Sequence, residues 1–169
     1  MRGIKKIIQS LKYINPKYNV KLKLIGNFSN KKFGQEIKNM PEWKEINFLG
    51  FLPQKQAYQH MYNSDIGLAC IQPKYKYIIP TKIFEYMTSY LPTIASNFPL
   101  WEKIIKENDC GVCVNPLDPK EIAKAIEYLI EHPEEAKKMG ENGRKAVLEK
   151  YNWEDESKKL LKIYKKLKK

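Results

Sequence analysis

Residues 65–96 read DIGLACIQPKYKYIIPTKIFEYMTSYLPTIAS. The opening DIGLAC (65–70) is a nearly continuous apolar run, the pattern of a parallel strand buried on both faces. A loop follows through Pro73 to Tyr77. A helix then starts at Pro80 and runs to about Tyr90, and PTIAS (92–96) forms the next strand. Strand, helix and strand joined by short links make a parallel crossover unit, and the rest of the chain repeats it.

On the amino-terminal side, Ile4, Ile7, Ile8 and Leu11 recur at helical spacing before Asn15-Pro16 breaks the chain. VKLKLIG (20–26) alternates strictly and ends in glycine, so it reads as a strand with a turn after it. A short helix is expected over 33–40, a strand over INFLG (46–50) and a helix from Gln54 to Tyr62. On the carboxyl-terminal side come a helix over Pro99–Lys106 and the strand GVCV (111–114). Asp118-Pro119-x-Glu121 marks a helix start: Asp118 caps, Pro119 suits the first position and Glu121 meets the positive end of the dipole. Helices close the chain over about 119–131, 134–149 and 153–167. The fold class is therefore α/β: a single Rossmann-like domain over 1–169, its parallel sheet covered by helices on both faces. Such sheets bind ligands at the carboxyl ends of their strands, here Gly26, Gly50, the loop after Cys70, and Ser96.

Composition narrows the function. The 169 residues suffice for one domain with a full core, and 43% hydrophobic content is ordinary for a globular protein. No run of about 20 apolar residues suggests a membrane span, and MRGIKKIIQSLKYI reads as an amphipathic helix, not a signal peptide. The net charge of +12 raises nucleic acid or an anionic membrane as partners. Of the 31 basic residues, however, only Arg2 and Arg144 are arginine, the residue that base readout favours. Lysines interleaved with acids along the whole chain read as solvated faces, so nucleic acid is not expected. Cys70, Cys110 and Cys113 are read as reduced cytosolic thiols. Cys110-Gly-Val-Cys113 has redox or half-zinc spacing but lies in an apolar strand with no second pair, so buried structural thiols are expected and no metal site.

The chemistry concentrates at residues 80–85, PTKIFE. Proline costs nothing in a first helical turn, and the amides of Thr81, Lys82 and Ile83 would then point out of the helix start. With the helix dipole they make an anion site to which Lys82 adds a full charge. Glu85, three residues on, shares the face of Lys82, and its carboxylate suits the two hydroxyls of a ribose. Phosphates at Lys82 and a ribose at Glu85 describe a nucleoside diphosphate. On spacing alone the simpler reading is a surface ion pair worth a few tenths of a kcal/mol. Gly26-Asn27-Phe28-Ser29 and Gly50-Phe51-Leu52-Pro53 each follow a strand but match no G-x-G-x-x-G or P-loop pattern. Each is an ordinary strand-end turn or a backbone that meets a ligand.

These residues resemble a known family. PTKIFEYMTSYLPTIASNFPLWEKII is similar to the donor-binding segment of retaining glycosyltransferases of family 4, which have the GT-B fold. VKLKLIGNF resembles that family's strand and glycine loop, and INFLGFLPQKQAYQHMYNSDIGLACIQP its strand–glycine–loop–helix run into S/A-D-I-G-L. NDCGVCVNPLDPKEIAKAIEYLI and YNWEDESKKLLKIYKKL are similar to its late capped helix and its terminal helix. The resemblance implies the donor-binding C-terminal half of such an enzyme, with the N-terminal acceptor domain and the first strand of this half absent from residues 1–169. It implies a UDP-sugar or GDP-sugar donor and no metal or other cofactor. Glu85 and Lys82 are then the catalytic residues. Arg2, Lys82 and the amides of Thr81 and Ile83 hold the diphosphate, Glu85 the ribose, Gly26 the glycine turn, and Phe51 and Leu52 the base. Two positions depart from the pattern. Tyr77 stands where the family has a first glutamate, and Tyr90 where it has a glycine before Leu-Pro, in a backbone region that costs a bulky residue of order 1 kcal/mol.

The expected function is donor binding for glycosyl transfer with retention of configuration, by a hexosyltransferase of cell-surface polysaccharide synthesis whose isolated half is inactive. The alternative is a non-catalytic nucleotide-binding module or regulatory remnant. The expected place is the cytoplasm; LLKIYKKLKK (160–169) and the amino-terminal helix also suit an anionic surface at the inner membrane face, although the simpler reading of this basic end is a solvated terminus.

Overall fold

The computed structural model describes residues 3–167. In chain order the elements are α1 (Ile4–Ser10), β1 (Leu22–Ile25), α2 (Lys31–Lys38), β2 (Ile46–Gly50), α3 (Gln54–Tyr62), β3 (Gly67–Ala69) and α4 (Thr81–Thr88). They continue with β4 (Thr93–Ser96), α5 (Pro99–Glu107), β5 (Gly111–Val114), α6 (Pro119–Glu131), α7 (Pro133–Glu149) and α8 (Trp153–Leu167). Local chemistry sets several of these boundaries. The Asn30 side chain accepts from the Phe33 amide at 3.1 Å and starts α2 two residues earlier than its apolar pattern indicates. Asp118 accepts from the Lys120 amide at 2.8 Å, with Pro119 next, and α6 begins there.

All strand pairings are parallel, but the strands form two sheets and not one. β1 pairs with β2, with a register shift between Leu24 and Ile25, and β3–β4–β5 form the second sheet. No ladder joins β1 to β3. Sequence periodicity marks each strand but not its neighbour, so this division is invisible until the chain is folded.

Helices cover both faces, as expected of a Rossmann-like α/β domain. β4 shows this most plainly: Thr93, Ile94, Ala95 and Ser96 are all buried. Ile94 faces a core shared with Ile7, Ile122, Ile126 and Leu129 of α1 and α6. Ala95 faces the opposite core, with Ile83, Met87, Trp101, Ile105 and Ala146 of α4, α5 and α7. Each large aliphatic side chain so removed from water contributes roughly 1.5–3 kcal/mol. Cys70 and Cys110 belong to these cores as free buried thiols, and burial pushes both up to about 12. Cys113 is only half-buried, because β5 is an edge strand.

α4 lies close against α7. A β-carbon at Gly140 would come within 2.1 Å of the Tyr90 carbonyl oxygen, and one at Gly143 within 3.2 Å of the Met87 side chain. α4 ends in a paired cap: Leu91 donates to the Tyr86 carbonyl at 3.0 Å and Tyr90 to Met87 at 3.3 Å. Tyr90 sits at the left-handed position of that cap, φ 59°, as its departure from the family's glycine foreshadows.

Candidate functional site

A helix that follows a parallel strand starts at the strand's carboxyl end, so α4 presents its first turn where β1, β2 and β4 also end. The loop from β3 to α4 is pinned there by two side chains. Ser96 accepts from the Ile71 amide at 2.9 Å and donates to the Ile71 carbonyl at 3.1 Å. The buried Trp101 indole donates to the Ile78 carbonyl at 3.0 Å. Sequence reading placed Ser96 at a strand end and Trp101 on a helix, but long-range pinning of this kind has no local signature.

At the tip of α4, Pro80 is the residue before the helix (φ −75°, ψ 138°), not its first member. The Ile83 amide is not free: it donates to the Pro80 carbonyl at 3.2 Å, and its side chain is fully buried. That leaves the amides of Thr81 and Lys82 at the open end, both on exposed residues. Lys82 and Glu85 come together as an ion pair, Nζ to Oε2 2.5 Å, with Lys82 about half-exposed and Glu85 at 21%. The two groups therefore neutralise each other, and a pair of this spacing opens at a cost of a few tenths of a kcal/mol.

Lys82 also lines a groove of about 570 Å³ between β1 and β3; Glu85 meets it only through Lys82. Tyr86, missed by sequence reading because an aromatic on a helix looks like core, lines the same groove. Its hydroxyl donates to the Leu68 carbonyl over 3.4 Å, and burial first, the charge of Glu85 second, pushes its phenol pKa up. A second cavity, about 730 Å³, opens among residues 11–21 and 41–45 near the start of β1 and holds none of the candidate residues.

The glycine turns stand together. The Gly26 amide donates to the Gly50 carbonyl at 2.6 Å. Both glycines have positive φ, 118° and 65°, and nothing lies within 4 Å of where a Gly26 β-carbon would stand. These turns need glycine's conformational freedom and leave the backbone approachable. Beyond Gly50, Phe51 is 75% exposed and Leu52 half-buried; Tyr77, in place of an expected glutamate, is 78% exposed. Arg2 lies outside the described residues. Among the described residues no three His, Cys, Asp or Glu side chains gather as a metal site.

The architecture is that of the C-terminal domain of GT-B glycosyltransferases. HepE of Anabaena, in its complex with UDP-glucose, superposes with a TM-score of 0.82 at 19% identity, over 97% of this chain and 45% of its own. The C-terminal domain of a glycosyl transferase group 1 family protein (LpcC) of Francisella tularensis gives 0.72 at 24% identity, over 89% of this chain and 80% of its own. Residues 1–146 match the family model for glycosyl transferases group 1, and the chain belongs to that family. In sequence it is 28% identical to the capsular polysaccharide biosynthesis glycosyltransferase CapM of Staphylococcus aureus, over 91% of this chain and 41% of that protein. It spans less than half the length of the curated relatives it matches. Among the described residues no helix is long and apolar enough to cross a membrane.

Proposed function

We propose that this chain holds the nucleotide-sugar donor, a UDP- or GDP-sugar, of a hexosyltransferase that passes the glycosyl group on with retention of configuration. The observation that carries this reading is the tip of α4. Two unbonded amides and the Lys82 ammonium stand at the carboxyl ends of parallel strands, in a chain of the group 1 family. The diphosphate docks on the Thr81 and Lys82 amides and displaces Glu85 from Lys82. Lys82, with Arg2, then offsets charge growing on the leaving diphosphate. Glu85, released, accepts from the ribose hydroxyls. The Gly26 and Gly50 turns let the nucleotide approach, and exposed Phe51 beside Leu52 packs on the base. The UDP-glucose complex of the similarly folded HepE supports uridine as that base.

The acceptor wall belongs, in this reading, to an N-terminal GT-B domain outside residues 1–169, so the isolated chain binds donor and transfers nothing. Calorimetry with UDP, GDP and UDP-glucose tests the first half, and incubation with nucleotide sugar and candidate acceptors the second. Lys82→Ala and Glu85→Ala should each weaken nucleoside diphosphate binding by roughly tenfold or more, the worth of a charged hydrogen bond. Unchanged affinity in both variants returns the pair to a surface ion pair, and robust transfer by the isolated chain removes the need for a second domain.

α8 supports a place at the inner membrane face. Trp153, Leu160, Tyr164 and Leu167 fall on one stripe of this helix, each exposed, among lysines. Anionic vesicles should sediment the chain at low salt and release it at high salt. Equal recovery with neutral vesicles would leave α8 as a solvated helix.

A further inference from the structure

The tip of α4 is only as well placed as the segment that delivers it. Residues 71–80 connect β3 to α4, and their backbone bonds are mostly internal. Tyr75 donates to the Gln72 carbonyl, Lys76 to Pro73 and Ile78 to Tyr75, each at 3.0 Å. Tyr75 packs on the core shared by α4, α5 and α7, but Tyr77, Ile78 and Ile79 are exposed and anchor nothing. Among the described residues a single hydrogen bond ties residues 72–79 to the rest of the domain. It runs from the Trp101 indole to the Ile78 carbonyl, at 3.0 Å.

The donor of that bond is held firmly. Trp101 lies in the first turn of α5, where its amide donates to the Phe98 carbonyl at 2.8 Å. The Phe98 ring meets the indole edge-on, with centroids 5.1 Å apart. The indole is fully buried in the same core as Ile83 and Met87 of α4. A ring packed on all sides has one direction for its N–H, and a buried N–H rarely goes without an acceptor. The Ile78 carbonyl is therefore held where the indole points.

What lies between this tie and the helix tip is stiff. Ile79 precedes proline, which confines its backbone to extended conformations. The ring of Pro80 locks φ, here −75°. The Pro80 carbonyl then accepts from the Ile83 amide at 3.2 Å and closes the first turn. A position fixed at Ile78 thus reaches the amides of Thr81 and Lys82 through two restrained residues. Ser96 holds the other end of the segment at Ile71, but the turn over Pro73–Tyr75 and exposed Tyr77 separate that tie from the tip.

We propose that Trp101 is a positioning residue of the donor site. Through the Ile78 carbonyl, its indole fixes the open amides of α4 and the Lys82 ammonium where a diphosphate docks, and this role rests on the donor reading of that tip. A segment ordered by a buried tie before the ligand arrives loses less freedom on binding, so the tie raises affinity without touching the ligand. A tryptophan that only filled the core would contribute volume and leave the tip unaffected.

The test compares Trp101→Phe, which keeps an aromatic ring but removes the N–H, with Ile105→Ala, which opens the same core away from the tie. Affinity is measured by calorimetry with UDP and with GDP. Hydrogen exchange is read at the Ile83 amide, against Thr93–Ser96 as internal reference, and at the Trp101 indole. Trp101→Phe should weaken whichever nucleotide binds by at least about fivefold and speed exchange at Ile83 relative to the reference. Ile105→Ala should lower Tm yet change affinity by less than about twofold. Ser96→Ala, which frees the Ile71 end, should weaken binding less than Trp101→Phe does. In the parent protein the nucleotide should slow exchange of the Trp101 indole proton, because coupling between two sites is reciprocal, and this measurement needs no variant to fold. Unchanged affinity in Trp101→Phe, equal weakening by Ile105→Ala, or an indole that exchanges alike with and without nucleotide would each overturn the positioning role and leave the donor site standing. A parent that binds neither UDP nor GDP would overturn the donor reading itself, and the role of Trp101 with it.

Discussion

Three cysteines share one chain, but their surroundings separate them. Burial pushes Cys70 and Cys110 from 9.0 up to about 12, and half-buried Cys113 to about 11. The folded protein holds these protons more tightly than the unfolded chain does. The stability they contribute is complete below pH 9 and is lost as pH rises from 9 toward 12, by up to about 1.4 kcal/mol per pH unit for each fully buried thiol. Tm should therefore fall steeply above pH 9, and Cys70→Ala should flatten that fall; a slope unaltered by the substitution would contradict the account. Burial of Cys70 was legible in the sequence, because DIGLAC is an apolar run; GVCV carries Cys113, which was expected buried and which the edge position of β5 leaves half-buried. The pairing of Lys82 with Glu85 was legible only as a spacing. Whether two side chains three residues apart meet each other or a ligand depends on what else reaches them. The Ile83 amide, which the helix start would leave free, is taken by Pro80 because proline lies one residue outside the helix.

Among the elements, α4 bears the most consequence, since it carries Lys82, Glu85 and Tyr86 and ends on a tyrosine in a glycine's conformation. A non-glycine residue there costs of order 1 kcal/mol. The Arg144 guanidinium lies over the Tyr90 ring, 5.6 Å from its centroid, and such stacking returns about 0.5–1 kcal/mol at an exposed site. Tyr90→Ala keeps the strain and loses the stacking, so it should destabilise by about 0.5–1 kcal/mol; Tyr90→Gly removes both and should fall within about 0.5 kcal/mol of the parent. Thermal unfolding of the two variants decides it, and equal losses in both would show that the left-handed backbone carries no penalty. Start signals were readable to the residue in α6 but not in α2, whose Asn30 cap lies ahead of its apolar pattern, nor in α4, where Pro80 stands one residue outside the helix. Asp118-Pro119 fixes α6, and the strand β5 coincides with GVCV. Strand ends defined only by alternation were not: Val20 and Lys21 continue the pattern of β1 but make no ladder.

For the molecule as a whole, alternation of strand and helix was enough to define a parallel α/β domain, because each segment's period is local. Sheet order is not local, and the separation of β1–β2 from β3–β4–β5 could not be read from any window of sequence. That separation predicts uneven stability. The smaller sheet has two strands and a half-buried wall, while the larger is anchored by β4 between two cores. Native-state hydrogen exchange should find β1 and β2 opening at least tenfold more readily than Thr93–Ser96. A single common opening free energy would instead mean that the helices alone bind the two sheets into one cooperative unit. A different long-range dependence follows from the contact between α7 and the end of α4. One methyl group at position 140 would have to share space with the carbonyl that closes α4, and backbone cannot swing aside as a side chain can. The placement of α4, and of Lys82 upon it, thus depends on an emptiness maintained some sixty positions further along the chain, by a residue that takes no part in the Lys82–Glu85 pair.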